Sequence, residues 1–251
     1  MKPFRILSTC MILLILAVIS SCHSVPFTDT DFEVNGVKFR MIAVEGGSFM
    51  MGATPEQGDD ARENEKPAHK VTVDDFFIGE TEVTQKLWFA VMGNNPSYFQ
   101  DDEGYRPVEN VSWNDAQEFV KKLNEITGQQ FRLPFEAEWE YAARGGNKST
   151  NKKYAGSDNL DEVAWYYKSG VQVTTHPVAT KKSNELGIYD LSGNVYEFCC
   201  DSWESDSVFF CPIRGGSIWN EDVCLRNSRK FIISTVNCAP NKGLRLMLDC
   251  F

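Results

Sequence analysis

Cysteine is missing from the whole stretch between Cys22 and Cys199, and the six that follow are crowded into the last 53 of 251 residues. Histidine is nearly absent. His23, His69 and His176 are scattered, and no spaced His or Cys pairs mark a zinc site. His69 follows a loop and His176 precedes Pro177, so both read as structural or surface residues. Basic residues number 25 against 35 acidic ones, a net charge of −10. That balance excludes a nucleic-acid partner, which would need clustered Lys and Arg against phosphates. There is no P-loop, no Rossmann glycine run, no Gly-x-Ser-x-Gly elbow and no internal repeat, which argues against nucleotide chemistry and serine hydrolysis. The apolar run from Met11 to Ile19 falls short of the roughly 20 residues a spanning helix needs.

What is present begins with that run. Lys2 and Arg5 lead into it, and it closes on Ile19-Ser20-Ser21-Cys22. The order resembles a bacterial lipoprotein signal, which implies acylation of Cys22 and a mature chain starting there. Each buried acyl methylene contributes about 0.8 kcal/mol, so several chains on Cys22 would hold the protein to a membrane. Residues 1–21 are thus expected to be the signal, 22–35 a tether and 36–251 one domain, exported to the bacterial cell envelope. Loss of Lys2 and Arg5 takes the charge to about −12, compatible with a soluble exported surface. Six cysteines in an oxidising compartment read as a disulfide framework with about fifteen possible pairings. Adjacent Cys199 and Cys200 rarely pair with each other.

Local signals predict an α+β domain with little regular structure. Asn35-Gly36 between β-rich flanks reads as a hairpin turn, 46–52 as strand and turn, and 70–78 as a strand. The polar, aperiodic 53–67 segment reads as a surface loop. A helix is expected from Thr84 to Met92, stopped by Gly93 and Pro96. A second starts at a Ser112/Asp115 cap and carries Trp113, Ala116, Phe119, Val120 and Leu123 at helical spacing up to Gly128. A short strand at 131–133 leads to a third helix over 135–144, with Trp139 and Tyr141 as core anchors. Beyond Gly145-Gly146 few regular elements are expected.

In LGIYDLSGNVYEFCCD, residues 186–201, oxygen-bearing side chains alternate with positions that offer only a carbonyl: Asp190, Gly193, Asn194, Val195 and Glu197. A turn at Ser192-Gly193-Asn194 could bring Asp190 and Glu197 toward one point, as calcium requires, or leave two solvated carboxylates. GIYDLSGNVYE at 187–197, followed by Arg214-Gly215-Gly216-Ser217, resembles the signature of the formylglycine-generating enzyme (sulfatase-modifying factor) family. So do VEGGSFMMG at 44–52, ETEVTQ at 80–85, PVENVSWNDAQEF at 107–119, FRLPFEAEWEYAARGG at 131–146 and the closing GLRLML at 243–248. The resemblance implies that family's fold, related to the C-type-lectin fold. It implies calcium held by the Asp190 and Glu197 side chains and the Gly193 and Val195 carbonyls. It also suggests a Cys199–Cys224 disulfide.

For the enzymes of the family it implies two thiolates that hold copper(I) and activate oxygen, which oxidises a sulfatase cysteine to formylglycine; a soft, linear copper(I) site wants two sulfur donors. Here Cys224 matches the second cysteine, and the first position is Asn220, whose amide oxygen is a hard, neutral donor. Glu221 and Asp222 beside Cys224 oppose a reactive thiolate. Ser217 and Arg226 match cleft positions. Copper is therefore not expected, and two readings follow. One is a membrane-anchored, non-catalytic module that binds a peptide, a glycan or another envelope protein. The other is a formylglycine-generating oxidase, or a related oxidoreductase, working through Cys224 with Ser217 and Arg226.

Overall fold

The structure, a computed structural model, describes residues 27–101 and 103–250. The expected signal and the lipidation site at Cys22 lie outside the described residues.

The first sheet opens with a hairpin of β1 (Thr30–Val34) and β2 (Val37–Val44). Asn35 and Gly36 both have positive φ, 50° and 81°, the backbone a two-residue hairpin turn demands. Residues 30–34, expected to belong to a tether, pair in register with β2. The strand expected at 70–78 is two strands, β4 (His69–Val73) and β5 (Phe76–Gly79). They part at Asp74-Asp75 and join different sheets: β4 pairs with β3 (Gly47–Met51), and β5 with β2.

Three helices follow from their caps. Thr84 accepts the Leu87 N–H at the start of α1 (Gln85–Met92), and Gly93 closes it in the left-handed region. Ser112 and Asp115 cap α2 (Trp113–Thr127) reciprocally, and Gly128 ends it the same way. The third, α3 (Glu136–Ala143), follows the short β6 (Phe131–Arg132). A fourth, α4, is one turn at Leu160–Val163. The chain then runs irregularly to a second sheet that local signals did not announce. It comprises β7 (Tyr196–Phe198), β8 (Trp203–Ser205), β9 (Val208–Arg214), β10 (Lys230–Ser234) and β11 (Lys242–Gly243), in the order β10-β9-β7-β11, with β8 beside β9. Finally β12 (Met247–Asp249) returns to the first sheet between β5 and β6.

One apolar cluster lies between α1, α2 and the sheets, with Trp88 stacked on Phe119 at 5.0 Å and Phe77, Leu123, Phe198 and Leu248 around them. A second surrounds Trp139 and Tyr141, the core anchors the α3 pattern predicted, with Ile42, Ile78 and Met247. The 53–67 segment is less of a surface loop than its polarity suggested. Gln57 and Glu65 are fully buried, because Glu65 meets Arg226 at 2.9 Å and accepts the Ser228 hydroxyl at 2.6 Å. Among the described residues no helix is long and apolar enough to cross a membrane.

Candidate functional site

Two neighbouring constellations flank β7. The first lies in the 186–201 loop. Asp190 and Asn194 take positive φ, and so does Gly193 at 91°, where a Cβ would lie 2.3 Å from the Trp165 carbonyl oxygen. This tight path turns the loop onto a carboxylate that local reading overlooked. Glu82 accepts the Val195 N–H at 3.0 Å and the Asn194 amide at 2.7 Å. The Asn194 side chain also spans the His176 main chain, accepting its N–H at 3.0 Å and donating to its carbonyl at 3.1 Å.

Glu197 is engaged elsewhere. One of its oxygens accepts the Arg245 Nε and Nη2 protons at 3.1 and 2.7 Å; the other accepts Arg245 Nε at 2.9 Å and the Trp139 indole N–H at 2.6 Å. Arg245 also donates to the Gly79 and Tyr189 carbonyls, at 2.8 and 2.7 Å. A carboxylate has about four lone-pair sites, and these contacts occupy all of Glu197's. In this structure the counter-ion of Glu197 is Arg245. Asp190 is different. Its Oδ2 accepts the Ala179 N–H at 2.8 Å, and its Oδ1 is buried with no partner. Burial lifts its pKa to about 6, with Glu197 adding to the rise and the Ala179 N–H and Arg245 opposing it. Burial, then Asp190 and Glu197, drive the Glu82 carboxyl well above its ordinary range. Three buried carboxyl groups thus share one guanidinium. The orphaned Asp190 oxygen fits a cation donor, whereas no cluster of three or more His, Cys, Asp or Glu side chains is arranged to hold a metal among the described residues.

The second constellation lies just beyond the end of β9. The hydroxyl of fully buried Ser217 donates to the Asn220 amide oxygen at 2.6 Å and accepts from the Asn241 side chain at 3.1 Å. Asn241 belongs to the strand-leading turn before β11, and sequence reading missed it; its place two residues before Gly243 in the closing block is the signal that would have found it. Cys224 is a free, half-buried thiol packed with Tyr154, Tyr166 and Leu225. The Tyr196 phenol lies by Asn220 and Cys224; burial, with Cys224 adding, pushes its pKa up. Exposed Trp219 and Tyr167 border Asn220, whose carbonyl accepts the Tyr167 N–H at 3.1 Å.

The Arg226 guanidinium is buried and forked onto Glu65, at 2.9 and 3.0 Å, rather than bonded to Ser217, Asn220 or Cys224. Burial alone would raise the Glu65 pKa, but the Ser228 hydroxyl, the Arg62 N–H and Arg226 together hold it low. Cys199 and Cys224 are not joined. Both are free, and they sit in different apolar clusters, Cys199 beneath Trp139 and Cys224 against Tyr154.

A cavity of about 900 Å³ opens beside α1, lined by Gln85, Lys86, Phe89 and Tyr105 among others, and Cys224 is not part of its wall.

Fold and site together define a single-domain α+β protein that gathers one thiol, a serine and two asparagines in its C-terminal part, beyond β9. The chain belongs to the sulfatase-modifying factor family: the Sulfatase-modifying factor enzyme 1-like domain matches residues 30–250. It is 38% identical over 214 residues to the chaperone protein LppX of Paenibacillus barcinonensis, covering 66% of this chain and 72% of that one. It is 27% identical over 230 residues to the formylglycine-generating enzyme of Streptomyces coelicolor, covering 67% and 70%. Among solved structures, Treponema denticola variable protein 1 superimposes with a TM-score of 0.77 at 30% identity, covering 88% of this chain and 98% of that one.

Proposed function

We propose that this protein is a lipid-anchored envelope member of the family that does not carry out formylglycine chemistry and uses its cleft face to bind a peptide, a glycan or another envelope protein. The observation that carries the reading is Asn220. It stands where the resemblance calls for the first copper thiolate, and it is held by the Ser217 hydroxyl rather than facing Cys224 as a second soft donor. A single thiolate with amide oxygens is a poor copper(I) site. Exposed Trp219 and Tyr167 at the rim offer the amphipathic aromatic surface that recognition sites favour. LppX, a relative, is named a chaperone rather than an oxidase.

The anchor is Cys22 and the compartment is the cell envelope, supported by the Ile19-Ser20-Ser21-Cys22 order. Calcium is proposed at the 186–201 loop, supported by the unpartnered Asp190 Oδ1. Asp190 with the Gly193 and Val195 carbonyls would hold it, and its charge would offset the carboxyl excess around Glu82.

The test of the main reading is to add copper(I) to the reduced protein and assay oxygen-dependent conversion of a Cys-x-Pro-x-Arg peptide. No stoichiometric copper and no aldehyde product are expected. Aldehyde formation that disappears in Cys224→Ala would overturn the reading in favour of an oxidase.

A further inference from the structure

The cysteines left over from the cleft are not placed independently. Across β7 and β9 the register pairs Glu197 with Arg214 and Phe198 with Ile213. The Cys199 N–H then donates to the Pro212 carbonyl at 3.0 Å, which places Cys199 at a hydrogen-bonding position of the ladder although Pro212 has no N–H to return. Continued one step past the end of β7, the same register would set Cys200 opposite Cys211, both of them free thiols in this structure, and the Cys200 N–H turns away from β9 to the Pro134 carbonyl. That is the pattern of a non-hydrogen-bonded antiparallel pair, whose Cα atoms lie about 4.5 Å apart with side chains close together. A disulfide accepts Cα separations of about 4.4–6.8 Å. Alternation along a strand puts Cys199 on one face and Cys200 on the other, and the packing agrees. Cys199 belongs to the cluster around Trp139, whereas Cys200 and Cys211 both pack into the cluster around Phe198 and Ile213.

We infer that Cys200 and Cys211 are a disulfide-forming pair, a modification site that staples the end of β7 to β9. The inference rests on strand register and does not depend on the function proposed for the cleft. The oxidant is a disulfide, either a small-molecule disulfide or that of a thiol–disulfide oxidoreductase. The half-buried Cys200, as thiolate, attacks one sulfur of the donor; a mixed disulfide forms, and the released donor sulfur takes up the Cys200 proton. Cys211, as thiolate, then attacks Cys200 Sγ, which expels the second donor sulfur with the Cys211 proton. Two S–H bonds break, one S–S bond forms, and the donor leaves as two thiols carrying the two electrons. Burial pushes Cys211 up to about 12, and it raises Cys200 too, with Arg132 opposing.

The experiment treats the reduced chain with excess oxidised glutathione under native conditions, alkylates free thiols, cleaves at Glu204 and maps the unreduced peptides by mass spectrometry. The expected product is one link between the Cys199-Cys200 peptide and the Cys211 peptide. It should persist in Cys199→Ala and vanish in Cys200→Ala, and reductant should lower the Tm of the oxidised wild type but not of Cys211→Ala. A wild type whose Cys211 remains alkylatable after oxidation overturns the inference without any variant. So does a Cys211 link that survives Cys200→Ala.

Discussion

Glu109 is fully buried, yet only one of its oxygens has a partner. Oε1 accepts the Phe99 N–H at 2.7 Å, and Oε2 has none. The pKa rises from 4.5 to about 7 because burial disfavours the anion more than the Phe99 and Tyr98 N–H groups favour it. A folded-state pKa above the unfolded one means that the native state binds the extra proton between those values. The resulting stability is fully present below the unfolded pKa and is lost as pH rises through about 7. At about 1.36 kcal/mol per pKa unit, the cost of ionising Glu109 in place is on the order of 3 kcal/mol. For a domain of this size that corresponds to a Tm change on the order of 10 °C. Glu109→Gln keeps the acceptor for Phe99 and removes the charge. Urea denaturation of both proteins from pH 4.5 to 8 isolates the effect, since the titrations of Asp190 and Glu82 are common to both and cancel. The variant should gain on the wild type by roughly 2–3 kcal/mol as pH rises across that range. A difference flat to within about 0.5 kcal/mol would refute the claim that Glu109 is a strained buried acid.

Other outcomes follow from the same geometry. Arg245→Met leaves Glu197 buried without its counter-ion and should cost about 3–5 kcal/mol in chemical denaturation, much of it recovered when Glu197→Gln is added. Gly193→Ala places a methyl 2.3 Å from the Trp165 carbonyl oxygen at a φ of 91°, so a loss of about 2 kcal/mol or more is expected in the same assay. Chelation of calcium should lower the Tm of the wild type and leave Asp190→Ala unmoved; a wild type indifferent to calcium would return Asp190 Oδ1 to a merely unsatisfied oxygen.

What the sequence disclosed depended on how far apart in the chain the cooperating groups lie. The α2 cap could be read because Ser112 and Asp115 are three residues apart and satisfy each other's backbone. The β1–β2 turn could be read because Asn35 and Gly36 supply their own φ angles. Glu65 could not: in a run of acidic and polar residues nothing distinguishes the one carboxylate that meets Arg226, 161 positions away. Glu82 lies within the family-like segment at 80–85, but its role is set by Asn194 and Val195, more than a hundred residues on. The cysteines show the same limit most sharply. Their number and clustering hinted at cross-links, while the partner of each is decided by strand register, which moves a side chain to the opposite face with a one-residue step. The 199–224 pairing suggested by resemblance fails because Cys199 faces the Trp139 cluster. Its immediate neighbour, turned the other way, packs into the cluster that holds Cys211. The same local sequence, Phe198-Cys199-Cys200, thus serves two cores at once, and only the register of β9 says which thiol belongs to which.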